Sequence, residues 1–148
     1  MGKKLAATDV GGNCTAAQAS RSIHCVNNTY PWSSTGTAAD GALFTDFLTR
    51  INKVLSTSPD GSIVADVCFA GHCDWRAPNI AELRTILDCT KANCLDPIFG
   101  PTRASFYWSS TTFAFVPNFA WFVNIGNGFV NDDSKDFLSF ARAVRGGR

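Results

Sequence analysis

The stretch Phe106–Val130 reads FYWSSTTFAFVPNFAWFVNIGNGFV, and it holds the strongest structural signal in the chain. Eight of the twelve phenylalanines lie at or after Phe106. Serine, threonine, asparagine, proline and glycine interrupt the aromatic residues, so no apolar run approaches the roughly 18 residues that a spanning helix needs. The sequence therefore predicts no direct membrane insertion, and the aromatic residues must serve a core or a surface.

Apolar residues alternate with polar ones after Ala120, which is typical of a β-strand. Asn127-Gly128 favours a two-residue hairpin turn, because both central residues of such a turn need positive φ. That turn predicts that Ile125 faces Val130 on the returning strand. A final strand is expected over Phe140 to Arg145.

The predicted hairpin has two unlike faces. One is expected to join the core, and it carries Trp121, Val123, Ile125 and Val130. The other is expected to face outward, since Asn and Asp cannot be buried without partners; it carries Phe122, Asn124, Phe129, Asn131 and Asp133. Several exposed aromatic residues beside polar ones indicate a recognition surface.

Two helices are predicted before this region. The first starts at Asp40 as N-cap and has an apolar stripe at helical spacing, formed by Phe44, Phe47, Leu48, Ile51 and Leu55. The second starts at Asn79, which forms a predicted capping box with Glu82. Its apolar face carries Ile80, Leu83, Ile86 and Leu87. Val26 to Gly36 is interpreted as an irregular surface loop.

The six cysteines fall into three pairs that are local in sequence: Cys14 and Cys25, Cys68 and Cys73, Cys89 and Cys94. An even number with this spacing in a small domain favours disulfides and an oxidising compartment. Zinc is the alternative, with His72 and Asp74 close by. Structural zinc sites usually use a tighter C-x2-C spacing, so we predict no metal site there.

Charge and side-chain inventory exclude other functions. Thirteen basic and twelve acidic residues give a formal net charge of +1, which predicts no nucleic-acid partner. His24 and His72 each adjoin a cysteine that is expected to form a disulfide, so neither is expected to pair with a free nucleophile. We therefore predict no enzyme, no catalytic residue and no cofactor. Asp132, Asp133 and Asp136 could bind calcium, although they are more typical of a solvated turn.

A set of short motifs resembles one known family. The motifs are Asp74-Trp75-Arg76, Trp108-Ser109-Ser110-Thr111, Ala120-Trp121, Asn127-Gly128 and Arg142 to Gly147. In this order they resemble the C-terminal domain of bacterial collagen-like adhesins (the Lcl C-terminal domain), over about residues 37–148. Ala77 stands where the family pattern usually has Leu.

The resemblance implies a fold of the α+β class. The expected architecture is a single C-type-lectin-like domain over residues 1–148, with two helices packed on small antiparallel sheets. Residues 1–36 would form an irregular N-terminal part and residues 106–148 a strand-rich part. Trp75, Trp108 and Trp121 would help form the core, and the implied disulfides are Cys14–Cys25, Cys68–Cys73 and Cys89–Cys94.

The same resemblance implies a secreted or surface-exposed binding module from a bacterium, archaeon or virus. Its ligand would be a protein or glycan at a cell surface, and a homo-oligomer is compatible with the family. Some members bind sulfated glycans. Here the positive charge for such a ligand would come from Lys135, Arg142, Arg145 and Arg148, with the three nearby aspartates opposing it.

A second resemblance is to variable proteins of diversity-generating retroelements, whose template carries runs of Asn codons that mutagenesis diversifies. The chain keeps the template residues Trp108, Ser109, Ser110, Ala120, Trp121, Val123, Gly128, Lys135, Arg142 and Arg145. It departs from template Asn at Phe113, Phe115, Val116, Phe119, Phe122, Phe129, Asp132, Asp133, Ser134, Asp136, Phe137, Leu138 and Ser139. All of these residue types have codons ending in C, as that mutagenesis requires.

We therefore predict a diversified ligand-binding surface on a constant scaffold. The candidate ligand-binding residues are Phe113, Phe115, Val116, Phe119, Phe122, Asn124, Phe129, Asn131, Asp133, Ser134, Asp136, Phe137 and Ser139. The alternative is an adhesin domain of fixed specificity for glycans such as sulfated glycosaminoglycans.

Overall fold

A computed structural model describes residues 25–52, 55–57, 63–66 and 68–146. Helix α1 comprises a π-helical segment, Leu43–Leu48, and an α-helical segment, Thr49–Asn52, and helix α2 spans Ile80–Arg84. The strands are β1 Tyr30–Pro31, β2 Leu55–Thr57, β3 Ile63–Asp66, β4 Trp75–Arg76, β5 Phe106–Thr112, β6 Phe119–Asn124, β7 Val130–Ser134, β8 Leu138–Ser139 and β9 Val144–Arg145. Small helices mixed with antiparallel sheets confirm the predicted α+β class.

The largest sheet among the described residues has the strand order β5-β6-β7, and all of its pairs are antiparallel. One two-stranded sheet pairs β2 with its neighbour β3, and two others join early segments to late ones. Tyr30 of β1 pairs with Ser139 of β8, and Trp75 of β4 pairs with Arg145 of β9. The strand predicted over Phe140 to Arg145 is limited to β9, and Phe140 makes only a single bridge to Tyr107.

The central sheet is covered on both faces, because neighbouring residues of its strands enter different apolar clusters. Trp108 and Phe122 belong to a cluster formed with Tyr30, Trp32, Leu43, Phe47, Ile51, Trp75, Ala120 and Ala143. Tyr107 and Val123 belong to a second cluster with Leu83, Leu95 and Ile125. Two covered faces remove the simple inward and outward alternation that the sequence pattern assumed.

The predicted capping box at α2 is confirmed. The Glu82 amide donates to Asn79 Oδ1 over 2.8 Å, and the Asn79 amide donates to Glu82 Oε2 over 2.9 Å. Glu82 also forms an ion pair with Arg76. Hydrogen bonds from the Arg76 guanidinium hold the pKa of the Glu82 carboxyl below its usual value. The box fixes the start of a short helix that buries Leu83 against the sheet.

The start of α1 differs from the prediction. Asp40 is not its N-cap; the residue before the helix is Ala42, which makes no side-chain cap. Asp40 instead accepts hydrogen bonds from the Thr35 hydroxyl at 2.6 Å, the Ser34 amide at 2.8 Å and the Ser33 hydroxyl at 2.9 Å. These donors, with the Thr35 hydroxyl foremost, hold the pKa of Asp40 well below its usual range.

The π-helical turns change which residues of α1 are buried. Leu43, Phe47 and Ile51 face the core at a spacing of four, while Phe44 and Leu48 are half-buried. Leu55 lies in β2 rather than in the helix. Phe47 and Ile51 of the predicted stripe are therefore buried as expected, Leu43 joins them, and Phe44 and Leu48 pack at the edge of the cluster.

Val26 to Gly36 is irregular apart from β1, as predicted, but part of it lies in the core rather than at the surface. Tyr30, Trp32 and Ser33 are buried, and the Trp32 indole donates to the Ser109 carbonyl over 2.9 Å. The segment is short on apolar residues, so its sequence resembles a loop. Its few aromatic side chains nevertheless pack into the main cluster.

The β6–β7 hairpin has a different turn and register from those predicted. Val130 lies opposite Val123, two residues from the predicted partner Ile125. Asn124 receives a backbone bond from Gly128 and donates one to Phe129, so the turn comprises residues 125–128. Only Gly128 of the Asn-Gly dipeptide has positive φ, at +74°, and a Cβ there would lie 2.6 Å from Cys89 Sγ. Glycine is therefore required here both by the positive φ and by the close approach of Cys89.

Disulfides Cys68–Cys73 and Cys89–Cys94 are confirmed. Cys25 is also disulfide-bonded, and its predicted partner Cys14 lies outside the described residues. The bridged C-x4-C pairs leave no thiolate for the zinc alternative. Within the part of the chain that the structure describes, no group of three His, Cys, Asp or Glu side chains could hold a metal ion, and no helix has the length and apolarity of a membrane span.

Candidate ligand-binding surface

The predicted ligand-binding residues divide by exposure. The exposed ones are Phe115, Val116, Phe129, Asn131, Asp136 and Phe137. The half-buried ones are Phe113, Phe119, Asn124, Asp133 and Ser134. Phe122 and Ser139 are buried. Most of the set is therefore accessible to a ligand, and two members are not.

The prediction that Phe122 faces outward is wrong. Its side chain is 6% exposed and packs between Phe106, with ring centroids 4.8 Å apart, and Trp108. Asn131 lies opposite Phe122 in the ladder yet is exposed, because β7 is the edge strand and β6 the central one. The same face of the sheet is thus buried at Phe122 on β6 and exposed to solvent at Asn131 on β7. Ser139 is buried where β8 pairs with β1.

Trp121 differs from its prediction in the opposite direction. It was predicted to lie in the core, but it is half-buried, as is Phe119 on the same face of β6. Its ring packs edge-to-face on Phe113 at 5.3 Å, and Phe113 in turn packs on Phe115 at 5.6 Å. We call Phe113, Phe115, Phe119 and Trp121 the aromatic surface.

The hydrogen bonding of the four tryptophans separates Trp121 from the others. The indole N–H groups of Trp32, Trp75 and Trp108 donate to backbone carbonyls at 2.9 to 3.0 Å. Trp121 has no such acceptor among the described residues. Buried indoles usually find a partner, whereas an indole at an interface keeps its N–H for solvent or ligand. The sequence carries no signal for this difference, because it depends on which carbonyl each ring meets.

The β5–β6 turn presents the most exposed aromatic residue. Backbone bonds join Phe113 N to Phe119 O and Phe119 N to Val116 O, each at 2.8 Å. These bonds close the turn while leaving its tip outside the ladder. Phe115 at that tip is 88% exposed. A ligand would therefore meet this ring first.

Acidic side chains border the aromatic surface. Asp132 lies directly opposite Trp121 in the β6–β7 ladder, and Ser134 lies opposite Phe119. The Ser134 hydroxyl donates to Asp136, and its amide donates to Asp133 Oδ1 over 2.7 Å. The carboxylates are accessible and give this side of the surface a negative charge.

The basic residues considered for sulfated glycans do not supply charge here. Lys135 is buried, lies 3.9 Å from the centre of the Trp32 ring, and donates to Thr37 O over 2.7 Å. Burial lowers its pKa. Arg142 is also buried and lies over the Tyr107 ring, and burial lowers its pKa as well.

Arg145 and Arg148 complete that set of basic residues. Arg145, on β9, contacts His72 at 2.8 Å and lies 4.0 Å from Asp74. The Asp74 carboxylate therefore partly balances the charge of Arg145. Arg148 lies outside the described residues. The prediction that Lys135 and Arg142 supply charge to a glycan is therefore wrong, because both side chains are buried.

A separate pair of open clefts lies beside α1. Their volumes are about 430 and 400 Å³, and both are lined by Phe44, Leu48 and Arg76. Arg76 there is paired with Glu82, which also caps α2. The ion pair has a structural role, and neither cleft includes a predicted ligand-binding residue.

Comparison with protein families agrees with the motif order. The model of the Lcl C-terminal domain matches residues 10–145, which include the aromatic surface and all the described strands. No curated protein matches the chain. Because the family model covers more than half of the sequence, the chain belongs to the Lcl C-terminal domain family.

Proposed function

We propose that this chain is an adhesin-like ligand-binding module with a diversified recognition surface on a constant scaffold. The family supports the adhesin-like part of this function. One observation carries the rest. Residues that agree with the retroelement template lie mostly in the interior, and residues that depart from it lie mostly at the surface.

Most of the constant positions have structural roles. Trp108, Ser109, Ala120 and Val123 are fully buried. Ser109 binds two strands together, since its hydroxyl donates to the Trp121 carbonyl over 2.7 Å. Gly128 is needed beside Cys89, and the Lys135 and Arg142 side chains fill interior sites. Substitution at these positions would damage the fold, so a diversifying system must spare them.

The departing positions have the opposite character. Of the thirteen, Phe122 and Ser139 are buried, and the other eleven are exposed or half-buried. We define the proposed variable surface by those eleven: Phe113, Phe115, Val116, Phe119, Phe129, Asp132, Asp133, Ser134, Asp136, Phe137 and Leu138. Changes there can alter shape and charge without disturbing the core.

We also propose the C-type-lectin-like architecture for the scaffold. It is supported by early strands that pair with late ones, by two helices, and by a separate three-stranded sheet that bears the accessible residues. The disulfides support export to an oxidising compartment, at a cell surface or beyond. Homo-oligomers of the module would present several copies of the surface together.

Binding, rather than catalysis, is the proposed activity. The variable surface carries aromatic rings and carboxylates, and the neighbouring constant residue Trp121 has an indole N–H open to a ligand; these groups suit recognition. An enzyme would need a nucleophile with a base or an equivalent constellation. The buried Lys135 and Arg142 make sulfated glycosaminoglycans poor ligands for this surface, which favours the diversified module over the glycan-binding adhesin.

The gene's own DNA tests the diversification directly. The eleven positions should use codons that end in C. A near-copy of the segment should lie close by, with AAC at the corresponding places and a reverse-transcriptase gene beside it. Mixed third bases with no template copy would contradict the proposal and leave an adhesin of fixed specificity.

A further inference from the structure

We propose that Trp121 and Asp132 form a binding subsite for a positively charged side chain, and that the ligand is a polypeptide segment with Arg or Lys beside apolar residues. This inference rests on the proposed ligand-binding function of the same surface. It adds the chemical class of the ligand, which neither the family nor the template resemblance specifies.

The subsite consists of two residues on adjacent strands. Trp121 and Asp132 are direct partners in the β6–β7 ladder. Residues in such positions have Cβ atoms about 4.5–5.5 Å apart, with side chains on the same face of the sheet. An ammonium or guanidinium within about 6 Å of the indole centroid can therefore reach the Asp132 carboxylate at the same time.

Trp121 is suited to this role by its ring and by its open N–H. Tryptophan gives the strongest cation–π attraction of the aromatic side chains. Its N–H has no acceptor among the described residues, unlike those of the other three tryptophans. A backbone carbonyl of the bound segment would satisfy that donor, so a peptide matches both features of the indole.

The charge of the surrounding chain favours a cationic ligand. Between Arg103 and Arg142 the sequence has one basic residue, Lys135, and three acidic ones, Asp132, Asp133 and Asp136. Lys135 is 1% exposed, whereas the carboxylates are exposed or half-buried. The accessible charge of this segment is therefore negative. Such a surface attracts basic segments and repels polyanions.

The rest of the aromatic surface provides the apolar contact. Phe113 connects Trp121 to Phe115 through two edge-to-face contacts. A ligand side chain resting on Phe115 would bury a ring that is otherwise almost fully exposed. Aromatic anchors that become desolvated next to a charged contact are typical of binding hot spots. The expected ligand therefore combines a basic residue with a neighbouring apolar one.

The test is selection from a random peptide library displayed on phage, with the intact protein as bait. Peptides should be enriched that carry a net positive charge and place Arg or Lys beside an apolar residue. Asp132→Asn keeps the shape and removes the charge, and it should weaken the selected peptides about tenfold. Asp46→Asn, which lies on α1 and outside the β5-β6-β7 sheet, is the matched control and should leave their affinity unchanged.

The outcomes separate this inference from the proposed function. Enrichment of neutral or acidic peptides that still lose affinity with Phe115→Ser would overturn the cationic subsite while supporting the binding surface. Basic peptides that bind Asp132→Asn as tightly as the parent protein would also overturn the subsite. If no selected peptide depends on Phe115, Trp121 or Asp132, both proposals fail.

Discussion

Trp108 and Phe122 lie directly opposite each other on β5 and β6, and their rings pack edge-to-face with centroids 6.4 Å apart. Trp108 is fully buried and its indole donates to the Tyr30 carbonyl, which joins the central sheet to β1. Phe122 therefore belongs to the scaffold, although its neighbour Trp121 and the nearby Phe115 belong to the proposed ligand-binding surface. Adjacent aromatic residues on one strand thus differ in burial.

This division predicts different costs for the same substitution at two phenylalanines. Phe122→Ser should lower the free energy of unfolding by about 3–5 kcal/mol, because it empties a packed site and buries a hydroxyl. Phe115→Ser, at the exposed turn tip, should change it by less than about 0.5 kcal/mol. Urea unfolding of both variants measures the difference. Equal costs would contradict the assignment of Phe122 to the core.

Gly128 should be sensitive because of the disulfide beside it. Gly128 and Gly71 have the same φ, +74°, but of the two only Gly128 has heavy atoms within 4 Å of where an alanine Cβ would lie, the nearest being Cys89 Sγ. Gly71→Ala should cost about 1–2 kcal/mol from backbone strain alone. Gly128→Ala should cost at least about 1 kcal/mol more, since overpacking adds to strain. Thermal unfolding of the two variants compares them, and an equal loss would mean that the Cys89 contact is unimportant.

Asp40 predicts a dependence of stability on acid pH. A carboxylate whose folded pKa lies below its unfolded value stabilises the fold above about pH 4, and this stabilisation is lost as the pH falls through the folded pKa. Asp40→Asn should therefore lower the melting temperature at pH 7, and the gap to the parent protein should narrow between about pH 5 and pH 2. Asp46→Asn, which loses one surface pair with Arg50, is the control and should cost less than about 0.5 kcal/mol at pH 7. A gap for Asp40→Asn that stays constant with pH would contradict the hydrogen-bond account.

Features set by local chemistry could be predicted from the sequence. The Asn79–Glu82 capping box and the Cys68–Cys73 and Cys89–Cys94 bridges each depend on residues a few positions apart, and the structure contains all three. In these cases no distant segment competes with the local preference.

Features set by distant contacts could not be predicted in the same way. The roles of Trp121 and Phe122 were exchanged because a second cluster covers the other sheet face, so alternation alone did not identify the core side. The Asp40 carboxylate does not cap the helix, because it accepts hydrogen bonds from the backbone and hydroxyls of Ser33 to Thr35. The hairpin turn comprises residues 125–128 rather than Asn127-Gly128 alone, and Gly128 lies against Cys89, which is far away in sequence.

The most direct test of a variable surface on a constant scaffold is a library of the protein in which the eleven surface positions are randomised together with codons ending in C. We predict that most members remain folded, as measured by protease resistance on the yeast surface, and that selection against an unrelated protein yields binders. The matched library randomises Trp108, Ser109, Ala120, Val123 and Lys135, and most of its members should be degraded. Loss of folding in most members of the first library, or equal survival of the two libraries, would contradict the account.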